Sequence, residues 1–579
     1  TLLGNAIFNV NASTTLIYNG GITGSGTLTK IGLGTLILGG SNSYTGLTTI
    51  GAGAVSITGS LADTADVTVA SGASYNVNSA DTINSILGDG SVNLGANLSL
   101  ASNTAFTFAG GFTGTGSVVK VGTGTLTLSG ASTFTGETIL NGSQLILANS
   151  DALGSSTVVS SGGFLQVADG FALSALRVNG PVTITGNVRT VGSQTYNGAV
   201  TIRPDAGNQV TIIDYAGIAI SEAGVRISSS AGDITFNSTI DAPSGWSGKW
   251  ATSRASLHID APNGTVTIGD SIGVSSLLQY LYIGRVDTLA TLQGNSVSQT
   301  NVIRILADIK TEKEQTYVGR VAIGNNGRDG AFYNEFRDVT RPIGTFASAS
   351  AVLTRSFISV DPLVRFIGSV NPVAGDIYSL AIASIFRGII QGQDSERFMP
   401  RIEMYGLVGN ERAFYSTNFQ TIQATDVFAL AGKISTMGVT TVASQTYSTN
   451  ELSVTLNPSD SVARFRSSGS SGTINFDLSR VGGELNMGSA PGVTRVIIDG
   501  NNNFTGAGTN LASVGFPVQD AAAAAAAAAS GASSGSLSTV ARFANQLAQR
   551  DAGSSSSVSV SMVGDNKVDC TQEAPQAVE

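Results

Sequence analysis

The sequence predicts an all-β protein, a right-handed parallel β-helix (a solenoid) with a low-complexity C-terminal tail. Residues 21–50 and 111–140 align without a gap and share 14 of 30 positions, and a fixed internal period is typical of stacked repeats. The 579 residues include 72 glycines and only 12% charged residues, which favours many short strands joined by tight turns. The segments Gly34-Thr-Leu-Ile-Leu38 and Gly124-Thr-Leu-Thr-Leu128 have the composition of short buried strands.

The predicted β-helix divides into four parts followed by a tail. The parts are residues 1–180 with two 90-residue repeat copies, 181–303 as a continuation, 304–412 with charged and aromatic insertions, 413–516 as terminal coils, and 517–579 as an Ala/Ser/Gly-rich linker, short helix and disordered tail. We expect each 90-residue copy to form about four coils of roughly 22 residues. The phrase Gln-Thr-Tyr recurs from residues 194, 315 and 445, which indicates that the coils continue through the insertions.

Eight residues at equivalent positions of the two copies are predicted to be scaffold residues: Lys30, Gly34, Tyr44, Gly46, Lys120, Gly124, Phe134 and Gly136. The two lysines are the only basic side chains in residues 1–170. Because they occupy the same place in both copies, we interpret them as part of the repeat scaffold and not as a binding site.

Composition excludes several classes of partner and site. The formal net charge is −9 and no run of lysine or arginine could neutralise phosphates, so nucleic acid is not expected as a partner. The single cysteine, Cys570, excludes an intramolecular disulfide. The chain contains no apolar stretch of about 18 residues, so no transmembrane segment is predicted in it. The chain opens at Thr1 without a methionine or a signal segment, so we expect a processed piece of a longer protein.

No catalytic, cofactor or metal site is predicted. The sole histidine, His258, lies in an alternating segment that places it opposite Leu257 and Ile259, as a solvent-facing residue of a strand. The segment Gly269-Asp-Ser-Ile-Gly273 has Ile272 where a serine-protease box needs glycine. One dense polar and aromatic cluster is a candidate carbohydrate or partner surface, with a charge-paired solvated loop as the alternative: Arg328, Asp329, Tyr333, Glu335, Arg337 and Asp338.

Residues 30–46 (Lys-Ile-Gly-Leu-Gly-Thr-Leu-Ile-Leu-Gly-Gly-Ser-Asn-Ser-Tyr-Thr-Gly) and residues 120–136 resemble the autotransporter-associated β-strand repeat of bacterial secreted passengers. Segments 232–240 and 264–269 resemble filamentous-haemagglutinin-type exoproteins. The resemblance implies a right-handed parallel β-helix that outer-membrane export machinery delivers to the cell surface or the medium. Neither the family's translocator nor an Asn-Pro-Asn-Gly/Leu secretion signature is recognised here, so the export route stays open.

The function expected from these observations is that of a non-enzymatic, structural or adhesive protein that extends from the bacterial cell, without a cofactor. Its partners would be a glycan or cell-surface ligand, or other copies of the same rod. Two alternatives remain: a structural subunit of an extracellular filament or surface layer, and a polysaccharide lyase or hydrolase built on a β-helix.

Overall fold

The computed structural model describes residues 1–213, 219–244, 255–284 and 302–324 continuously. Beyond these it describes residues 353–359, 363–373, 378–386, 401–404, 408–409, 417–423, 433–436, 438–441, 445–448, 451–454, 462–467, 473–477, 484–486, 495–499, 501–505, 558–562 and 567–572. All regular elements in these residues are strands, which confirms the predicted all-β class. The chain forms two compact units, Thr1–Val210 with Glu222–Thr265, and Thr211–Ser221 with Val266–Glu579.

The first unit is built from stacked sheets whose strands are listed here in pairing order. The first sheet contains Ala6–Asn9, Leu28–Ile31, Thr48–Ile50, Asp66–Val69 and Ser85–Leu87. The second contains Thr15–Tyr18, Thr35–Leu38, Ala54–Ile57, Ser74–Val77, Ser91–Leu94 and Gly111–Gly114. The third contains Asp81–Ile83, Leu98–Leu100, Val118–Lys120, Thr138–Leu140, Val158–Ser160, Leu176–Asn179, Gln194–Tyr196 and Ile234–Phe236.

Two further sheets complete this unit. The fourth contains Phe106–Phe108, Leu126–Leu128, Gln144–Leu147, Gly163–Val167, Val182–Ile184, Val200–Ile202 and Ile240–Asp241. The fifth joins Val188–Thr190, Ala219–Ser229 and Ser256–Asp260. Strands Gln209–Ile213, Ala219–Ser229 and Thr265–Ile268 each have residues in both units.

Neighbouring strands of these sheets run parallel and are one coil apart in the sequence. Leu28 pairs with Thr48, and Thr48 pairs with Val67, so successive coils are 20 and 19 residues long. This is the connectivity of a parallel β-helix, and crossovers between parallel strands are right-handed in nearly all proteins. The expected coil of about 22 residues is therefore slightly too long, and 90 residues span more than four coils but fewer than five.

The core of the first unit consists of columns of inward-facing side chains. In the second sheet, the register places Leu36, Val55, Tyr75, Val92 and Phe112 one above another. All five are fully buried. Burying an aliphatic or aromatic side chain of this size contributes about 1.5–3 kcal/mol. Without a disulfide, this stacking and the ladder of backbone hydrogen bonds hold the coils together.

The second unit continues the same architecture in four groups of strands. One group contains Val302–Ile305, Arg320–Ile323 and Val370–Pro372. Another contains Leu281–Ile283, Gln315–Val318, Leu363–Ile367, Arg401–Met404, Lys433–Thr436, Glu451–Val454 and Glu484–Asn486. A third contains Ile309–Thr311, Leu353–Ser359, Tyr378–Phe386, Thr417–Gln423, Gln445–Ser448, Thr473–Asp477 and Asn501–Thr505. The fourth contains Gly438–Thr441, Val462–Ser467, Arg495–Asp499, Lys567–Gln572 and Val558–Met562.

The described part of the C-terminal tail differs from the expected disordered segment. Val558–Met562 and Lys567–Gln572 pair antiparallel with each other, and the latter pairs antiparallel with Arg495–Asp499. Both segments alternate apolar and polar residues, a pattern typical of strands with one buried face. Cys570 lies opposite Val496 within this hairpin strand. The predicted Ala-rich linker and short helix lie outside the described residues.

Candidate functional site

The predicted scaffold lysines lie at the end of a strand, directly before the corner that leads to the next strand. Lys30 is in Leu28–Ile31 and Lys120 ends Val118–Lys120, and both side chains are fully buried. The alternating pattern of these strands turns the lysines inward, in line with Leu28 and Val118. A lysine is almost never fully buried unless its ammonium group has partners.

The partners are backbone carbonyl groups of the corners. Lys30 Nζ donates to the carbonyl oxygens of Ile31 at 3.1 Å, Gly32 at 2.8 Å and Ala52 at 3.1 Å. The last of these belongs to the corner of the next coil. Lys30 therefore links the corner of its own coil to the corner of the next coil.

The second lysine repeats this arrangement with one bond fewer. Lys120 Nζ donates to Ser102 O at 2.8 Å and to Gly122 O at 2.5 Å, and lies 5.8 Å from the ring centroid of Phe106. Burial lowers the pKa of Lys30 and lowers that of Lys120 to about 8, because the charged form loses its hydration. These bonds tie neighbouring coils together and occupy the ammonium groups of Lys30 and Lys120, so that neither is presented to a ligand.

The four predicted scaffold glycines lie where one coil touches the next. A Cβ at Gly34 would collide with the carbonyl oxygens of Asn11 and Thr14. A Cβ at Gly124 would collide with the Thr104 backbone. Gly46 and Gly136 lie in the same way against the carbonyl groups of Gly26 and Gly116. Close approach of two backbones explains why glycine occupies these positions in both copies.

The two aromatic scaffold residues fill the same position of the repeat but make different contacts. Tyr44 and Phe134 are both fully buried. The hydroxyl group of Tyr44 lies 2.6 Å from Thr48 Oγ1, and burial raises the pKa of Tyr44 to about 12. In the second copy the ring of Phe134 packs edge-on against Phe112 at 5.8 Å. The residue equivalent to Thr48, Thr138, bonds Ser156 instead.

The two repeat copies occupy different sheets. Lys30 pairs with Ile50, and Ile50 pairs with Val69. Lys120 pairs with Leu100, which pairs with Ile83. Ile83 follows Val69 by 14 residues, which is less than one coil, so the two columns lie on different faces. The repeat therefore encodes a strand-and-corner module that fits more than one face of the coil.

The recurring phrase Gln-Thr-Tyr lies at the start of a strand, directly after a corner. Tyr196, Tyr317 and Tyr447 are fully buried, and each hydroxyl group donates to the amide oxygen of the glutamine two residues earlier, at 2.8–2.9 Å. Gln194 and Gln315 each donate at 3.1 Å to a threonine four residues earlier, Thr190 and Thr311. Sequence reasoning recognised the phrase but missed these threonines.

Each of these tyrosines also contacts an aromatic ring of a neighbouring coil. Tyr196 stacks on Phe236 at 4.8 Å and Tyr317 stacks on Phe366 at 4.8 Å. Tyr447 packs against Phe419 at 5.5 Å. The phrase therefore marks points where hydrogen bonds within a corner and aromatic contacts between coils coincide.

A buried carboxyl group that sequence reasoning missed lies in the third sheet. Asp81 is 5% exposed, and its oxygens accept hydrogen bonds from Leu61 N and from the Tyr75 hydroxyl group, both at 3.1 Å. Burial raises the pKa of Asp81 to about 6. The equivalent backbone bond occurs two coils earlier, where Ile22 N donates to Asn42 Oδ1. The signal in the sequence was the 20-residue spacing of these polar residues from the amides that they bind.

His258 and Ser271, which were considered for catalysis, lie among residues that hold the strands together. His258 is partly exposed between buried Leu257 and Ile259, as its alternating segment predicted. Its cross-strand neighbour, Arg226, forms an ion pair with Asp260 at 2.5 Å. Ser271 is 4% exposed, and its backbone amide donates to the Asp270 carboxylate at 2.8 Å. This serine is not accessible to a substrate.

The candidate ligand cluster of Arg328, Asp329, Tyr333, Glu335, Arg337 and Asp338 lies outside the described residues. Across the residues that are described, no three His, Cys, Asp or Glu side chains form a group that could hold a metal ion. In that same part of the chain, no helix is long and apolar enough to cross a membrane.

Comparison with known proteins gives one match. The family model of the passenger-associated-transport-repeat matches residues 28–57 and residues 118–142. No curated protein and no solved structure matches the chain significantly. The matched segments begin at Leu28 and Val118, contain both buried lysines, and confirm the resemblance to passenger repeats. The chain therefore carries two passenger-associated-transport repeats, the repeats of autotransporter passengers, which are secreted or surface-exposed bacterial proteins.

Proposed function

We propose that this protein is a structural or adhesive β-helix that extends from the bacterial cell and presents a binding surface. The observation that supports this is a difference between the buried and the outward-facing residues of the repeat. Buried residues of the two copies are the same or similar, as at Lys30 and Lys120, and they bind only the protein's own backbone. Most outward-facing residues differ between the copies, with Thr35 and Thr125 among the exceptions, so much of the surface can change while the scaffold is kept.

The outer surface favours a neutral hydroxyl-rich ligand such as a glycan. In the first sheet, Thr29, Thr49 and Thr68 are consecutive in register and face outward, partly exposed. Neighbouring strands are about 4.8 Å apart, so such a row is a regular line of hydroxyl groups. Hydroxyl groups can donate and accept hydrogen bonds, as the hydroxyl groups of sugars do.

The candidate cluster around Arg328 and Asp338 is proposed as a second part of this ligand surface. Arginine and tyrosine are enriched at the centres of binding sites, where they contribute much of the affinity. The matching test is a double substitution, Arg328→Ala with Arg337→Ala, which should weaken ligand binding without changing the β-sheet signal in circular dichroism.

Outer-membrane export machinery is proposed as the first partner, and the cell surface or the medium as the destination. A chain with one cysteine cannot be locked by an internal disulfide before it passes a narrow pore. Folding outside the cell would then be driven by the stacking of coils.

The experiment that tests this function uses the purified chain in three assays. Binding to a glycan panel and to bacterial and epithelial cell surfaces should be detectable, saturable and independent of added metal. Release of reducing sugars or unsaturated uronides from polysaccharides would instead establish the lyase or hydrolase alternative. Ordered polymers in electron micrographs would establish the filament alternative, and absence of any binding would contradict the proposal.

A further inference from the structure

At four outward-facing positions the first repeat copy has the larger aliphatic side chain, whereas Thr29 and Thr49 are replaced in the second copy by Val119 and Ile139. Ile31, Leu33, Ile37 and Leu47 of the first copy correspond to Val121, Thr123, Thr127 and Glu137 of the second. Both copies keep the buried lysine, the close-contact glycines and the buried aromatic ring. The second copy therefore demonstrates that the scaffold does not need large apolar side chains at these positions.

Three of these residues and one neighbour face outward on the first two coils, and we call them the apolar strip: Ile17, Ile31, Leu33 and Ile37. Outward-facing residues of the second coil follow each other as Ile31, Leu33, Thr35 and Ile37, around the corner between the first and second sheets. Ile17 is in register with Ile37 on the adjacent strand. Leu33 is 72% exposed and Ile17 58% exposed.

The strip lies in a part of the surface that has no charge. Residues 1–62 contain no Asp or Glu, and their only basic residue is Lys30, whose ammonium group is buried and bonded to three carbonyl groups. All acidic residues of the chain therefore lie after this region. Two copies repel each other through these residues, except where this neutral region faces its own counterpart.

We propose that the apolar strip is a self-association surface that binds the same strip of a second copy. The inference rests on the proposed function, because it specifies the partner of one part of the presented surface. An uncharged, aliphatic strip carries no charge that repels its own copy, and a two-fold symmetric contact brings the same residues of both copies together. Four side chains cover less than the roughly 800 Å² per partner of a stable dimer, so the association is weak and reversible.

The second repeat copy supplies the matched variants. The triple substitution Ile31→Val, Leu33→Thr and Ile37→Thr gives the first copy the outward residues that the second copy already has. A control substitution, Val191→Thr, changes another exposed aliphatic residue, 52% exposed, outside the strip. Circular dichroism should be the same for all three proteins.

The test is sedimentation velocity of the full chain into the high micromolar range. The unchanged protein and Val191→Thr should show the same reversible monomer–dimer equilibrium, and the triple variant should dimerise about tenfold or more weakly. A monomeric unchanged protein, or an undiminished dimer in the triple variant, would overturn the proposal. So would a monomer that uses the strip to adsorb to octyl-coated beads, because the partner would then be a foreign apolar surface.

Glycan and cell binding of the triple variant separates this inference from the proposed function. If the variant is monomeric and still binds its ligand, both proposals stand. If the unchanged protein dimerises but binds no ligand or cell surface, only the proposed adhesive function fails.

Discussion

Replacing the buried lysines by methionine tests whether the corners depend on their ammonium groups. Methionine keeps most of the aliphatic length and removes the charge and the donors. Lys30→Met loses three hydrogen bonds to carbonyl groups and Lys120→Met loses two. A hydrogen bond to a charged group contributes about 1.5–3 kcal/mol, and the cost of burying the charge offsets part of the sum. We expect Lys30→Met to destabilise its coils by about 2–4 kcal/mol, and Lys120→Met by less.

The assay is amide hydrogen exchange, because stacked coils can open locally without global unfolding. Faster exchange should be confined to the strands around residue 30 in one variant and around residue 120 in the other. Lys120 adds a pH test: its folded-state pKa of about 8 lies below the ordinary 10.5, so its burial cost is present below pH 8 and is relieved as the pH rises to 10.5. Lys120→Met should remove this rise in stability. Unchanged exchange in Lys30→Met, or a larger effect in Lys120→Met, would refute the reasoning.

Three further substitutions test single contacts. Asp81 has a folded-state pKa of about 6, above its ordinary 3.8, so its contribution to stability is greatest below pH 3.8 and is lost as the pH rises through 6. In Asp81→Asn, the free energy of unfolding from urea curves should no longer fall over this pH range. Tyr196→Phe removes the donor to Gln194 and should cost about 1 kcal/mol in the same assay, with no cost indicating that the corner does not need it. Gly34→Ala places a methyl group against a carbonyl oxygen and should disrupt its coils, whereas Gly72→Ala, with φ +78° and open space, should cost only about 1 kcal/mol; equal thermal midpoints would contradict this explanation.

The repeat in the sequence was sufficient to predict the class of fold. Two copies with the same lysine, glycines and aromatic residue predicted stacked coils, since only a repeated environment preserves such residues at a fixed spacing. The length of a coil could not be obtained in the same way. The 90-residue period is not a whole number of coils, so dividing it into four gave coils that were too long.

The chemistry of the corners was only partly visible in the sequence. The sequence does not show that these lysines point inward, because each ammonium group binds carbonyl groups of a neighbouring coil as well as of its own. The same reason explains why sequence reasoning missed the carboxyl group of Asp81 and the threonines four residues before Gln194 and Gln315. Their partners are backbone groups of other coils, and the sequence does not show which coils become neighbours.

The two repeat copies lie on different faces of the β-helix, and this affects how such chains can lengthen during evolution. A duplicated segment need not match the circumference of the helix, because the strand and corner that it encodes fit two different faces of this one. A gene duplication can therefore be accepted even when its length is not a whole number of coils. A β-helix built from such repeats can be lengthened in small, irregular increments.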